Sequence, residues 1–325
     1  MNTFFCADSS RQIGEKLIGS ATNYDTYILV ECPPPWTSEA FDSKWVPSNL
    51  KTLVEEVKRA KLAIRFLLIA NDQSHKVEQT TLLIYQKQKG LTQGYQKSEF
   101  LLENIEQVAG TVKKFLRGRT LDFEQQRSST RDILICTHGS HDKCCARYGN
   151  PFYFSAQSTI ANLSLENVRI WRASHIGGHR FAPTMIDLPE GRYYGALEQD
   201  SFKAIVTRTG DINCLNQVYR GWGILPTPLQ IVEKELILHY GWDWFNYTVA
   251  GKILEQSLDN NSVLAELTFA KTTGALYTCQ AKLVKDESKT VQLKSSCNAK
   301  QNSVFMQYTV ASLWLEAEKM VSLSA

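Results

Sequence analysis

Short apolar runs alternate with amphipathic segments in the first part of the chain. Three runs rich in β-branched and apolar residues predict strands, at residues 27–30, 62–70 and 80–86. Apolar residues at helical spacing predict helices at residues 11–18, 50–57 and 103–115. After the first helix, the order of the predicted elements is β-α-β-β-α.

The same order recurs in the middle of the chain. Further strands are predicted at residues 132–136, 168–173, 184–188 and 192–197, and helices at residues 145–161 and 201–206. We interpret the fold class as α/β, with two thioredoxin-like β-α-β-β-α modules that occupy residues 1–120 and 128–235.

The last part of the chain changes from helical spacing to alternation. A helix is predicted at residues 226–240, and alternating apolar residues from 263 onward predict about four antiparallel strands, closed by a helix at residues 313–320. We therefore expect a small antiparallel β-rich (α+β) C-terminal domain, residues 236–325, of unknown role. Within it, Cys279 and Cys297 are interpreted as buried small residues of strand faces.

Composition and charge narrow the function classes. A hydrophobic fraction of 43% with 21% charged residues is typical of a globular protein. No apolar run reaches the roughly 18 residues that span a bilayer, and residues 1–11 lack a signal-peptide pattern, so we expect a cytoplasmic protein without a membrane partner. The net charge of +3 is spread along the chain, which argues against a nucleic-acid partner.

Cysteine and histidine are concentrated in the middle of the chain. Three of the eight cysteines, Cys136, Cys144 and Cys145, fall within ten residues. Four of the six histidines lie in the same region, at positions 138, 141, 175 and 179. In a reducing compartment thiols stay free for metal or redox work, so this grouping predicts a metal site.

Four of these residues stand where predicted strands end. Cys136 ends a strand, and Cys145 lies nine residues later at the start of a predicted helix, whose N-terminus stabilises a thiolate. His175 and His179 follow the next strand and flank two glycines, which predict a tight loop that lets the backbone approach an inorganic centre. Two thiolates and two imidazoles complete the four ligands of a 2Fe–2S cluster.

Other chemistries remain as alternatives. Zinc is the competing metal, although the Cys-x8-Cys spacing differs from a zinc knuckle, and the protein would then be a structural-zinc binding module. A thioredoxin-like thiol redox enzyme is a second alternative, although the sequence has no Cys-x-x-Cys. A glycosidase is expected least, because the sequence shows no convincing pair of carboxylates.

These motifs resemble those of the sucrase/ferredoxin-like proteins. The central stretches read Cys-Thr-His-Gly at residues 136–139 and His-Ile-Gly-Gly-His-Arg-Phe-Ala-Pro at residues 175–183. Near the start, the shared residues are Cys6, Asp8, Ser10, Arg11, Gly14, Glu15, Leu17, Pro34 and Trp36. The family's thioredoxin-like part ends in residues that here are Arg220, Gly221, Leu225 and Pro226. The resemblance covers residues 5–235.

The resemblance implies a cofactor, its ligands and an activity. Yeast relatives are bis-histidinyl 2Fe–2S proteins, and their motif carries over to Cys136, Cys145, His175 and His179. The implied function is single-electron transfer, as a redox carrier or an oxidoreductase component. The implied partner is a protein electron donor or acceptor, and a homodimer is left open. Cys144 stands where the yeast motif is often basic, so Cys144 stays an alternative ligand to Cys145.

Neutral imidazole ligands would shape the chemistry of such a cluster. They lower its net negative charge, which raises the expected potential and allows reduction to couple to proton uptake. We interpret His138 and His141 as residues around the ligands or at the surface. Asp142, Arg172 and Arg180 flank the four ligands and would set the local charge.

Overall fold

Nine strands of the protein form one mixed sheet, and four further strands form a separate antiparallel sheet. The structure is a computed structural model that describes residues 4–72, 79–119 and 129–317. The strands of the large sheet are β1 (Thr26–Glu31), β2 (Ile64–Ala70), β3 (Thr80–Lys87), β4 (Tyr95–Leu102), β5 (Arg131–Cys136), β6 (Val168–Ala173), β7 (Met185–Leu188), β8 (Arg192–Tyr194) and β9 (Tyr219–Trp222). The strands of the small sheet are β10 (Thr248–Gln256), β11 (Ser262–Ala270), β12 (Leu276–Lys294) and β13 (Asn302–Ala317).

Seven α-helices lie within the described residues. They are α1 (Cys6–Gln12), α2 (Ser48–Arg59), α3 (Val108–Leu116), α4 (Lys143–Asn162), α5 (Gln199–Thr207), α6 (Leu215–Val218) and α7 (Thr227–Tyr240). None of these helices is long and apolar enough to cross a membrane.

The strand order of the large sheet is β4-β3-β1-β2-β6-β5-β7-β8-β9. Two pairs are parallel, β1 with β2 and β5 with β6, and each is joined by a helix, α2 and α4 respectively. The two halves of the sheet meet where β2 pairs antiparallel with β6, through Ile69 with Ala173 and Ala70 with Arg172. Because β5 and β6 are parallel neighbours, they end at the same edge of the sheet, and the candidate site lies at this edge.

The core extends from the large sheet into the small one. The β11 strand buries alternate residues, Val263, Ala265, Leu267 and Phe269, which join one apolar cluster with residues of the large sheet. The α2 helix covers the other face of the first half with four buried side chains, Leu50, Leu53, Val54 and Val57. Burying each such side chain stabilises the fold by about 1.5–3 kcal/mol.

The coarse fold prediction is confirmed. The protein is a mixed α/β protein with a large mixed sheet and a separate antiparallel sheet of four strands. Two strands of the large sheet, β4 and β9, were not predicted. The division into domains at residues 1–120, 128–235 and 236–325 stays a prediction.

Two predicted helices are wrong. The helix predicted at residues 313–320 is a strand as far as Ala317, and residues 318–320 lie outside the described residues. Its backbone pairs with β12, for example Leu313 with Ala281, so the ladder of a long neighbouring strand overrides local preference. At the other end of the chain, α1 begins at Cys6 and ends at Gln12, earlier than the helix predicted at residues 11–18.

Candidate metal centre

The first cysteine of the site ends the strand β5. Cys136 pairs with Ala173, the last residue of β6, so the loops after both strands begin side by side. The α4 helix packs tightly against this strand end, because a Cβ added at Gly149 would lie 1.9 Å from the Cys136 carbonyl oxygen. Only glycine allows this close approach. As a result, the first turn of α4, which contains Cys145, lies beside the end of β5.

Two buried thiols and one imidazole converge at this edge. The donor atoms of Cys136, Cys145 and His175 all lie within 4.8 Å of one another, and Cys145 Sγ is 3.8 Å from His175 Nδ1. Both cysteines are buried and His175 is half-buried. A hydrogen bond from Cys145 lowers the pKa of the Cys136 thiol and raises that of Cys145. The arrangement offers two soft sulfur donors and one nitrogen donor to a metal.

The two histidines flank a loop of two left-handed glycines. Gly177 has φ 89° and Gly178 has φ 75°, a region that favours glycine. A Cβ added at Gly178 would lie 2.5 Å from Nη2 of Arg220, whose buried guanidinium donates to the Gly177 carbonyl at 3.0 Å. Burial lowers the pKa of Arg220 to about 10. Arg220 therefore supports the loop from beneath and fixes its path.

The second histidine has one bonded and one free ring nitrogen. His179 Nε2 lies 2.5 Å from the carbonyl oxygen of Ser295, and because a carbonyl only accepts, Nε2 carries the proton. The other nitrogen, Nδ1, is buried and has no hydrogen-bond partner within the described part of the chain. Burial also lowers the pKa of His179, which favours the neutral imidazole that binds metals. The Nδ1 atom is thus a free donor for a metal.

Two more histidines surround the pair. His141 stacks on His175, with ring centroids 3.9 Å apart, and its donor atom lies within 4.8 Å of those of His175 and His179. His138 is buried and engaged at both ring nitrogens, with the Thr37 carbonyl at 2.6 Å and the His175 N–H at 3.2 Å. His138 therefore orients the His175 backbone, whereas His141 is a fifth possible donor at the site.

Cys144, the residue before Cys145, contacts a different group of thiols. Cys144 Sγ lies 3.5 Å from Cys6 Sγ and 3.3 Å from Cys297 Sγ. The interpretation of Cys297 as a strand-face residue is wrong, because it lies in the connection between β12 and β13 and contacts these thiols. Cys279 is buried in β12, as expected.

The charged residues that flank the ligands are engaged in contacts. Asp142 caps α4 by accepting from the Cys144 N–H at 2.9 Å. Arg180 pairs with Glu15 at 2.7 Å, and Arg172 donates to Asn150 at 2.8 Å. Sequence reasoning missed Gly149 and Ser295, which support the site from distant parts of the chain. A cleft of about 460 Å³ opens beside the site and is lined by His138, His141, His175 and residues of α2.

Comparisons with known proteins place the chain among relatives. A family model described as sucrase/ferredoxin-like matches residues 17–221, more than half of the chain. The protein named "Altered inheritance of mitochondria protein 32" from Meyerozyma guilliermondii is 30% identical over 99 residues, 29% of this chain and 35% of the relative. The protein of the same name from Debaryomyces hansenii is 27% identical over 110 residues, 32% of this chain and 40% of the relative. The chain thus matches less than half the length of these curated relatives, and no solved structure matches it significantly.

These comparisons correct the predicted function. Both curated relatives are named for altered inheritance of mitochondria, and neither name describes electron transfer. What is supported is the family and a group of cysteines and histidines able to bind a metal. The prediction of a single-electron carrier is therefore wrong.

Proposed function

The chain belongs to the sucrase/ferredoxin-like family, and we propose that its function is to bind a 2Fe–2S cluster through two cysteines and two histidines, Cys136, Cys145, His175 and His179. The observation that carries the proposal is that two groups of metal-donor atoms share His175. One group contains Cys136 and Cys145, and the other contains His141 and His179.

The shared histidine supports a centre with two metal ions. A 2Fe–2S core supplies two iron positions, each completed by two protein donors. The two groups together offer five donor residues, which is more than the four that a single tetrahedral ion takes. In our proposal Cys136 and Cys145 serve one position, and His175 and His179 serve the other.

The tautomer of His179 supports its role as a ligand. A metal-binding histidine usually donates its second ring N–H to a carbonyl or carboxylate, which fixes the ring and the tautomer. Here the Ser295 carbonyl takes that position, and the free Nδ1 is left buried. An unpartnered buried polar atom costs free energy, and a bound metal would remove that cost.

The surrounding loops suit an iron–sulfur core. The two cysteines lie in a buried, apolar setting, which limits access of water. The Gly177–Gly178 backbone adds no side-chain bulk near the histidines, and Arg220 beneath it contributes positive charge. Four protein donors with a low-bulk loop are the elements that such a cluster needs.

Finer points of the fold and the setting of the protein also belong to the proposal. We propose that the units built on the β1–β2 and β5–β6 parallel pairs are thioredoxin-like, which is supported by the helical crossover in each. A cytoplasmic location, a protein partner and a homodimer stay predictions. So does the absence of nucleic-acid and membrane partners.

The test is the iron and sulfide content of anaerobically purified protein. We expect about two irons and two acid-labile sulfides per chain, with visible absorption. Cys136→Ser should lose both, whereas Cys214→Ser, a half-buried cysteine outside the donor groups, should keep them. A wild-type protein that takes up no iron after anaerobic reconstitution with ferrous iron and sulfide would overturn the proposal.

A further inference from the structure

Three thiols and one carboxylate from distant parts of the chain meet beside α4. Cys6 begins α1, Cys144 lies in the first turn of α4, and Cys297 lies between β12 and β13. Their sulfur atoms are 3.5 Å (Cys6–Cys144), 3.3 Å (Cys144–Cys297) and 3.7 Å (Cys297–Cys6) apart. Asp142 completes the group, with all four donor atoms within 4.8 Å of one another.

The spacing of these sulfur atoms matches a tetrahedral metal site. Zinc–thiolate bonds of about 2.3 Å in a tetrahedron place the sulfur atoms about 3.8 Å apart. The observed separations of 3.3 to 3.7 Å are close to this value, and all three cysteines are free. Three thiols packed in this way without a metal would gain only weak S–H contacts.

The carboxylate is held in place to serve as the fourth ligand. Asp142 Oδ1 accepts the Cys144 N–H and Oδ2 accepts the Cys297 N–H, each at 2.9 Å. Oδ1 also lies 3.9 Å from Cys6 Sγ, about the separation of two ligands on one zinc ion. The carboxylate is thus oriented by the same residues whose sulfurs it faces.

The backbone also favours thiolates at this place. The Ala7 N–H donates to Cys144 Sγ at 3.4 Å, and Cys144 lies in the first turn of the 20-residue helix α4. Cys6 and Cys144 are fully buried and Asp142 nearly so. Two N–H groups partly offset the charge of the Asp142 carboxylate, but three thiolates beside it would need a cation, because an uncompensated buried charge is costly.

We propose that Cys6, Cys144, Cys297 and Asp142 bind one Zn²⁺ ion at a second site, distinct from the proposed cluster. Soft thiolates select zinc over hard cations such as Mg²⁺. The ion ties the N-terminal segment and the β12–β13 connection to α4. It also fixes the segment that carries Ser295, two residues before Cys297, whose carbonyl accepts from His179.

The test is elemental analysis of purified protein after zinc addition and removal of free metal. We expect one zinc per chain, lost in Cys6→Ser and Cys297→Ser and kept in Cys214→Ser. Zinc should also remain in the Cys136→Ser/Cys145→Ser double variant, which removes the first site but not the second. Wild-type protein without zinc, or zinc lost only in that double variant, would overturn the proposal.

Two further measurements decide the matter if the cysteine variants fail to fold. X-ray absorption at the zinc edge of wild-type protein should show three sulfur ligands at about 2.3 Å and one oxygen. Asp142→Asn keeps an N-cap residue for α4 and should weaken zinc binding by more than the roughly 10- to 100-fold that loss of a residue supporting a ligand causes. A spectrum with imidazole ligands would place the zinc at the histidines and overturn the proposal.

Discussion

Cys144 and Cys145 are consecutive residues of α4, yet their sulfur atoms belong to different donor groups. Cys145 lies with Cys136 and His175, and Cys144 lies with Cys6 and Cys297. Neighbouring residues of a helix point about 100° apart, so two adjacent cysteines reach two different sides of the helix. Two adjacent residues of one helix therefore belong to two different proposed metal centres, Cys145 to the cluster and Cys144 to the zinc site.

Substitutions of His179 and His141 should differ in their effect on the iron content of the protein. We expect His179→Ala to lose the cluster, because it removes the free Nδ1 donor. His141→Ala is the matched control, and we expect it to keep about two irons per chain. Iron and sulfide analysis of both proteins checks this expectation. The assignment fails if His141→Ala loses the iron and His179→Ala keeps it.

The glycine loop offers a test of the support given by Arg220. Gly177→Ala places a side chain at positive φ with no atom within 4 Å, so it should cost about 1–2 kcal/mol of unfolding free energy. Gly178→Ala adds a contact of 2.5 Å with the buried guanidinium and should cost clearly more. Denaturant unfolding of both variants measures the difference. Equal losses would show that Arg220 does not constrain the loop.

A second pair of glycines tests the approach of α4 to β5. Gly149→Ala would place Cβ 1.9 Å from the Cys136 carbonyl oxygen, so we expect a loss of about 3 kcal/mol or more, as for strong overpacking. Gly110→Ala, in α3, meets no atom within 4 Å and should stabilise the protein by about 0.5–1 kcal/mol. Thermal or denaturant unfolding compares the two. A Gly149→Ala protein as stable as the wild type would contradict the described packing.

Acid stability should depend on Asp132. Burial alone would raise the pKa of this carboxyl, but hydrogen bonds and charge from Arg169 and Lys97 hold it below its ordinary value of 3.8. A lowered carboxyl pKa contributes stability that is present above the unfolded-state pKa and is lost as the pH falls through the folded-state pKa. We therefore expect the unfolding free energy to fall below about pH 4.

The matching variant is Asp132→Asn, which removes one of the two carboxylates that pair with Arg169 and Lys97 and leaves both cations paired with Glu99. We expect it to lose about 1.5–3 kcal/mol at neutral pH, the contribution of hydrogen bonds to a charged group, because Glu99 still compensates both cations. Its unfolding free energy should also vary less between pH 5 and pH 3 than that of the wild type. If the unfolding free energies of wild type and variant depended on pH in the same way, the protonation of Asp132 would not account for the loss of stability in acid.

Local patterns in the sequence were enough for elements whose burial is regular. The alternation from Val263 to Phe269 predicts β11, because one face of that strand is buried. The apolar run before Cys136 likewise predicts β5 and places that cysteine at a sheet edge. In the stretch after Leu313, pairing with β12 decides the structure, and this pairing has no local signal.

The grouping of the cysteines needed the folded chain. Cys6 and Cys297 are separated by 291 residues and contact each other only because α1 and the β12–β13 connection both pack on α4. His179 and Ser295 are 116 residues apart in the sequence, so their contact could not be predicted from motif spacing either. The spacing of a motif predicts proximity only for residues that follow neighbouring strands, such as Cys136 and His175.

Metal analysis of the two adjacent cysteine variants tests the account most directly. Cys145→Ser and Cys144→Ser make the same chemical change at consecutive positions of one helix, so each is the control for the other. We expect Cys145→Ser to lose iron and sulfide and keep one zinc, and Cys144→Ser to lose zinc and keep about two irons. Iron retained in Cys145→Ser and lost in Cys144→Ser, or two irons retained in both, would contradict the division of these two cysteines between two metal centres.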